Sequence, residues 1–227
     1  GEGSALLEQP ELAEKIVAAC VANCSVPVTV KIRKDFKSGK LLAPDFAARM
    51  EQAGASAVAV HGRSAGQLYS GSADWSVIDA VADRVSIPVI GTGDVFCAQD
   101  AANMLAQTAA SAVFIARGTY GNPWIFQDAA ALSAGSPLPV HDAYERLAAL
   151  REHVELLDSL GGHMAKARTF ATWYLKGIPH AAFWRGRSVR YSTTQEFLDL
   201  ADAIERDLAC CEELAGKGLP IPHDPFI

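Results

Sequence analysis

The sequence predicts an α/β protein in which a parallel sheet of about four strands is followed by a region made only of helices. Up to about residue 133, short apolar runs alternate with helical segments. That alternation is typical of a parallel sheet built from right-handed strand–helix–strand units. The apolar runs are nearly continuous, as in strands buried on both faces. A linker of small residues and prolines at 133–140 then ends the alternation.

Each predicted strand ends in a polar or glycine-rich tip. The strands are predicted at 27–33, 56–62, 87–93 and 111–117, and their tips read KIRK, HGRS, GTGD and ARGT. Helices are predicted at 8–23, 44–54, 74–84 and 97–107, and Asp74 is placed to cap the third. Because parallel sheets collect their chemistry at the carboxyl ends of the strands, His61 and Arg63 lie where an active site is expected.

Beyond the linker the sequence predicts three amphipathic helices that form a small helical bundle. The first repeats apolar residues at helical spacing, namely Leu147, Leu150, Val154 and Leu157. The last begins at Thr193 or Thr194, with Glu196 placed for a capping box. We place the domain boundary between residues 133 and 134. Four strands fit either a small open sheet or the second half of a (β/α)8 barrel whose first half is absent.

Composition excludes some classes of protein. The 227 residues carry a formal net charge of −6, which argues against a surface that is uniformly positive but permits a local basic patch. Five cysteines at irregular spacing do not fit a disulfide framework, so we expect a reducing, cytoplasmic setting. Cys20 and Cys24 are interpreted as buried thiols, and no metal site is predicted. No apolar run approaches the roughly 18 residues that span a membrane.

Two glycine-rich turns, at 91–96 and 115–126, follow strands and precede helices. Backbone N–H groups in such turns bind anions, and Arg117 would add charge for a phosphate. Lys31 interrupts an apolar strand. It either points outward to a helix carboxylate or supplies a cation at the centre of a site, for example beside a reduced flavin. His61 is either structural or a hydrogen-bond donor to a ligand.

The helical region contains a segment, 159–195, that has no aspartate or glutamate. Its basic residues are Lys166, Arg168, Lys176, Arg185, Arg187 and Arg190, with His163 and His180. Its aromatic residues are Trp173, Tyr174, Phe183, Trp184 and Tyr191. This pattern fits a surface that binds a polyanion and stacks on unpaired bases, or a solvated face over a helical core.

Several motifs in order resemble those of the bacterial tRNA-dihydrouridine synthases, over nearly the whole chain. They read GSALL, VKIR, HGR, YSGSADW, PVIGTGD, ARGTYGNPWIF and WYLKG. The resemblance implies a (β/α)8 barrel that binds FMN, followed by a helical domain that grips tRNA. It also implies that NADPH reduces the flavin, that a hydride reaches C6 of a flipped-out uridine, and that a cysteine protonates C5.

The resemblance also implies roles for individual residues. Lys31 and His61 would contact FMN. The phosphate side would be lined by Thr92, Gly93, Asp94, Ala116 and Arg117. The tRNA contacts would be Arg63, Lys166, Arg168, Lys176, Arg185, Arg187 and Arg190. Residues 1–133 would then be a partial flavin-binding barrel and 134–227 a tRNA-binding domain.

The chain departs from the family pattern at several points. The family's catalytic cysteine lies upstream of the position of Gly1, and none of the five cysteines replaces it by motif. The chain resembles strands five to eight and the tail, so we expect it to be inactive alone and to associate through exposed half-barrel edges. Thr92 replaces a usual asparagine and Ala116 a common glycine. Thr169 and Phe170 follow Arg168 where the family often has lysine and histidine.

Two other functions remain open from the sequence. One is a flavin barrel oxidoreductase that acts on a small molecule, which would have no need of the acid-free basic segment. The other is a non-catalytic RNA-binding remnant.

Overall fold

The computed structural model describes residues 2–37, 39–223 and 225. The outermost ends of the two predicted domains, residue 1 and residues 226–227, lie outside the described part. Chain contacts divide the protein into two compact units. The sheet unit comprises residues 1–118 and 125–137, and the helical unit comprises 119–124 and 138–227.

The sheet unit contains a four-stranded parallel sheet, which confirms the predicted α/β class and is consistent with a partial (β/α)8 barrel. The strands are β1 (Thr29–Arg33), β2 (Ala57–His61), β3 (Val89–Thr92) and β4 (Ala112–Phe114), and they lie in chain order. Among the described residues, β1 and β4 each pair along one edge only. The last strand is shorter than predicted because the chain turns into a short 3-10 segment at Arg117–Thr119. There Gly118 approaches the Val95 carbonyl too closely for any side chain.

The helices of the sheet unit alternate with the strands, and the first helix precedes β1. They are α1 (Pro10–Ala22), α2 (Ala43–Gln52), α3 (Ser76–Ala82), α4 (Ala98–Gln107) and α5 (Ile125–Ser133), and a 3-10 segment at Gly3–Glu8 precedes them. The predicted cap of α3 is wrong. Trp75 is the N-cap residue, and the Asp74 carboxylate instead accepts a hydrogen bond from the Ser76 hydroxyl at 2.6 Å.

One face of the sheet is buried against these helices. Alternate strand residues supply that face, and the core includes Ile32, Val58, Val60, Val89, Phe46, Met50, Ile78, Val81 and Met104. Truncating such a residue, for example Met50→Ala, costs about 2–5 kcal/mol. The residues between them point to the opposite face, where Lys31 and Phe114 are exposed. The nearly continuous apolar runs predicted a sheet buried on both faces. In the described part of the chain, helices cover only one face of the sheet.

The described part of the helical unit contains four helices, one more than predicted. They are α6 (Ala143–Ser159), α7 (Ala165–Tyr174), α8 (Ala181–Ser188) and α9 (Thr194–Gly216). Leu147, Leu150 and Val154 are buried in its core, as their spacing predicted. Thr193 caps α9, because its hydroxyl accepts from the Glu196 N–H at 3.3 Å. Within the described residues, no helix combines the length and the apolar character that crossing a bilayer requires.

Candidate functional site

The face of the sheet opposite the helices carries a row of side chains at the carboxyl ends of the strands. Ile32 packs into the helix-side core, so its neighbours Lys31 and Arg33 point the other way. The strand register pairs Arg33 with His61, and His61 with Thr92. These side chains therefore share one face and one end of the sheet.

This face carries the positive charges of Lys31 and Arg33. Neither Lys31 nor Arg33 forms an ion pair with any residue in the described ranges. Burial, followed by the repulsion from Arg33, lowers the pKa of Lys31. Burial also lowers the pKa of His61, to about 4, and the charges of Arg33, Lys31 and Arg63 lower it further while Asp94 opposes them. His61 is therefore neutral near neutral pH, and the face favours an anionic ligand.

The turn after β3 packs directly on His61. Gly93 has a φ of +123°, and a Cβ there would lie 2.9 Å from the His61 ring and 2.7 Å from the Ala73 side chain. Only glycine adopts this positive φ without strain and also has no Cβ to clash with these neighbours. The indole N–H of Trp75 donates to the Gly93 carbonyl at 2.9 Å and ties the β2–α3 loop to this turn. The YSGSADW motif thus serves partly to fix the turn after β3.

Arg63 and Asp94 form the central ion pair of this end of the sheet. Two guanidinium nitrogens bind the two carboxylate oxygens at 2.6 and 2.8 Å, and Arg63 also donates to the Gly71 carbonyl. The Ala73 N–H donates to Asp94 at 2.8 Å. Desolvation opposes ionisation of Asp94, but the hydrogen bonds from Arg63 and Ala73 outweigh it and lower the pKa of Asp94.

The prediction that Arg63 contacts RNA does not agree with this geometry. Its side chain is 3% exposed, and its donors are used to hold the β2–α3 loop and the Asp94 turn. A strand-end arginine can point either out to a ligand or in to a carboxylate. Here the Asp94 carboxylate lies within reach, so the arginine is structural.

Arg117 lies at the same end of the sheet. Its guanidinium is 3.3 Å from Asp94 and stacks over the Tyr69 ring at 4.2 Å. Two guanidiniums share one carboxylate, so this cluster keeps a net positive charge. Ala116 directly precedes Arg117 and is exposed. The cluster is thus electrostatically suited to a phosphate.

The structure brings most predicted flavin-site residues to one end of the sheet. The pKa of His61 responds to Lys31 and Asp94, and Asp94 binds Arg117, so these residues share one environment. Sequence reasoning missed Arg33. The signal was present, because Arg33 lies two residues after Lys31 and strand side chains alternate.

The basic residues of the acid-free segment lie on α7, on α8 and in the turns that follow them. Arg168 is partly buried and donates to the Tyr191 carbonyl at 2.7 Å. Arg187 contacts the Tyr191 hydroxyl at 3.3 Å. Within the described chain, four others form no ion pair: Lys166, Lys176, Arg185 and Arg190. This unbalanced charge would attract a polyanion.

A buried polar network in the helical unit was not predicted. Asp207 accepts from the Trp184 indole at 2.7 Å and lies 2.8 Å from His180 Nδ1. Cys211 completes a group whose potential ligand atoms all lie within 4.8 Å of one another. Burial and then the Asp207 charge raise the pKa of the Cys211 thiol, so it stays protonated. The hydrogen bonds indicate a structural link between α8 and α9.

Comparison with known proteins identifies the family. The family model described as Dihydrouridine synthase (Dus) matches residues 1–209. The chain belongs to the dihydrouridine synthase family. Similar proteins within this family include the probable tRNA-dihydrouridine synthase 1 of Synechocystis sp., which is 36% identical over 205 residues. Probable tRNA-dihydrouridine synthases of Rickettsia conorii and Mycobacterium tuberculosis (strain H37Rv) are 37% and 36% identical over 188 and 213 residues.

These alignments cover most of this chain but a smaller share of the length of its relatives in the dihydrouridine synthase family. They cover 89% of this chain for the Synechocystis protein, 81% for the Rickettsia protein and 90% for the Mycobacterium protein. In the same order they cover 58%, 57% and 55% of the relatives. The chain therefore spans a little over half the length of these proteins.

Proposed function

We propose that this chain carries part of the FMN site and the RNA-binding surface of a tRNA-dihydrouridine synthase. Such an enzyme reduces uridine in tRNA to 5,6-dihydrouridine and takes its electrons from NADPH. The observation that carries the proposal is the positive charge of Lys31 and Arg33, which form no ion pair among the described residues. They share one face of the sheet with the neutral His61, at the end where Arg117 binds Asp94. The names of the relatives support the reaction.

The residues present fit a planar ligand that bears a phosphate. Lys31 and Arg33 lack carboxylate partners among the described residues, so a bound anion would relieve their mutual repulsion. Gly93 packs so closely on the His61 ring that a Cβ there would lie 2.9 Å from it, which leaves the turn after β3 without a side chain at this point. Lys31 and His61 would contact the FMN ring, and Thr92, Gly93, Ala116 and Arg117 would lie towards the phosphate. Asp94 acts indirectly by orienting Arg117.

FMN, when bound, supplies the hydride that the reduction requires. Lys31 would stabilise negative charge on the ligand, because it lies on the same face as His61 and has no carboxylate partner among the described residues. His61 is neutral near neutral pH and would donate a hydrogen bond from one ring nitrogen without adding charge. The two residues therefore bind and orient the ring and do not transfer the proton to C5.

We also propose that none of the five cysteines donates that proton. Cys20 and Cys24 lie in α1 and just after it, and both are exposed, so their interpretation as buried thiols is wrong. Cys210 and Cys211 lie in α9. Cys97 is the N-cap residue of α4. The chain alone should therefore form no dihydrouridine from tRNA, FMN and NADPH. Detection of dihydrouridine by mass spectrometry would overturn this assignment.

Residues 1–133 would bind the flavin and 134–227 would bind tRNA. In the helical part, Arg185 and Arg190 have no ion-pair partner among the described residues and would contact phosphates. Each lost phosphate contact lowers the slope of log affinity against log salt concentration by about 0.7–0.9. Arg185→Gln and Arg190→Gln should each lower that slope for tRNA binding. Arg206→Gln removes the same charge from an exposed part of α9 outside the acid-free segment and is the matched control.

FMN titration tests the flavin site. Lys31→Met should weaken FMN binding about 10- to 100-fold, the range for hydrogen bonds to charged groups. Lys15→Met removes the same charge from the exposed surface of α1 and should leave FMN binding unchanged. Equal affinity of the two variants would refute the proposed role of Lys31.

Binding of FMN and of tRNA to one purified chain separates the competing functions. FMN uptake together with salt-dependent tRNA binding is the expected result. FMN uptake without tRNA binding would favour a reductase for small molecules. Binding of tRNA without FMN uptake would favour a non-catalytic RNA-binding protein.

A further inference from the structure

Two aromatic side chains form an exposed pair in the helical unit. The rings of Tyr120 and Trp173 have centroids 5.7 Å apart and are tilted by 59°. Tyr120 is 42% exposed and Trp173 is 38% exposed. The next residue in the chain, Tyr174, is buried in the core. α7 therefore buries one of its two adjacent aromatic residues and presents the other to solvent.

The pair is held in place by backbone packing. Gly121 has a φ of +64°, and a Cβ there would lie 2.5 Å from the Trp173 carbonyl carbon. The segment 119–124 therefore lies directly on the end of α7, where only glycine fits. At the other end of that segment, Trp124 stacks on His141 at 4.4 Å with an angle of 13°. The aromatic pair is thus fixed before any ligand binds, which reduces the entropy cost of binding.

The charge beside the pair is positive. Lys166 precedes Trp173 by seven residues, about two helical turns, and so lies on the same face of α7. Lys176 follows Trp173 by three residues. Both lysines are exposed and form no ion pair with the residues that the structure describes. The surrounding segment, 159–195, contains no carboxylate side chain.

We propose that Trp173 and Tyr120 bind an unpaired nucleobase of RNA, and that Lys166 and Lys176 contact the flanking phosphates. The proposal rests on the proposed RNA-binding function and assigns a stacking site to it. The flat face of a nucleobase complements an exposed indole, and a nearby phosphate complements the lysines. A paired base would offer no free face, so the site selects unpaired segments.

Binding of two RNA probes to the full chain tests this site. The probes are a short oligouridine and a blunt RNA duplex of the same length. Trp173→Ala should weaken oligouridine binding about 5- to 150-fold, the range for stacking on one base. The same variant should change duplex binding less than about twofold, because phosphate contacts dominate there. Trp173→Phe keeps an aromatic face and should restore most of the oligouridine affinity.

A spectroscopic measurement does not depend on the alanine variant folding normally. Oligouridine should quench the tryptophan fluorescence of the natural chain, and the quenching should largely disappear in Trp173→Phe, which retains Trp75, Trp124 and Trp184. Unchanged quenching in that variant would overturn the stacking site. An equal loss of affinity for both probes in Trp173→Ala would also overturn it. Unchanged oligouridine binding in Trp173→Ala would do the same.

The two proposals fail in different ways. If the natural chain binds tRNA but Trp173→Ala binds oligouridine normally, only the stacking site is wrong. If the natural chain binds none of these RNAs, the proposed RNA-binding function falls and the stacking site falls with it.

Discussion

The ion pair between Arg63 and Asp94 provides a direct measure of what holds the strand ends together. Arg63→Met removes a side chain that is 3% exposed and leaves Asp94, which is 24% exposed, without its main partner. Breaking a buried pair costs about 3–5 kcal/mol. Asp94 keeps the Ala73 N–H at 2.8 Å and Arg117 at 3.3 Å. The expected loss is therefore at the lower end, about 3 kcal/mol.

A second ion pair of the same length is the matched control. Arg84 binds Asp45 at 2.6 Å, but their side chains are 57% and 80% exposed. Arg84→Met should therefore cost no more than about 1 kcal/mol. The assay is urea unfolding followed by tryptophan fluorescence, since Trp75 is bonded to the Gly93 turn beside Asp94.

The double variant Arg63→Met with Asp94→Asn separates charge from shape. It should be less destabilised than the sum of its single changes, because it leaves no unpaired carboxylate. Equal losses of stability in Arg63→Met and Arg84→Met would refute the reasoning that burial sets the strength of the Arg63 pair.

Three further predictions follow from single contacts. Because the folded pKa of His61 is about 4 and its unfolded value is near 6.5, the unfolded state binds the extra proton between these values. His61 therefore lowers stability as the pH falls from about 6.5 to about 4, and the difference in unfolding free energy between the natural chain and His61→Asn should shrink there. Gly93→Ala should abolish FMN binding in the titration. Gly71→Ala should not, since Gly71 also has a positive φ but has no neighbour within 4 Å of a Cβ. Asp207→Asn should lower the thermal unfolding temperature through a loss of about 3 kcal/mol, whereas Asp202→Asn at an exposed pair should cost at most about 1 kcal/mol.

Much of the fold could be predicted because its signals are local. Apolar runs and turn residues located all four strands and the helices between them, and the capping pattern at Thr193 located the start of α9. The boundaries of β4 and the existence of α8 were not predicted. Gly118 packs against Val95, and His180 enters α8 with a φ of +51°. Both features depend on tertiary contacts.

The candidate site also has features that the sequence predicts and features that only tertiary contacts decide. The sequence by itself determined the order of the elements and the family, because apolar runs, turn residues and the order of the motifs are properties of the chain alone. It left open which way Lys31 points, and the packing of Ile32 into the helix-side core decided that. Only the tertiary structure decided that Arg63 points inward to Asp94 and that Trp173, not Tyr174, is exposed. Those outcomes depend on which groups lie within a few ångströms across loops, and residue identity alone does not specify those distances.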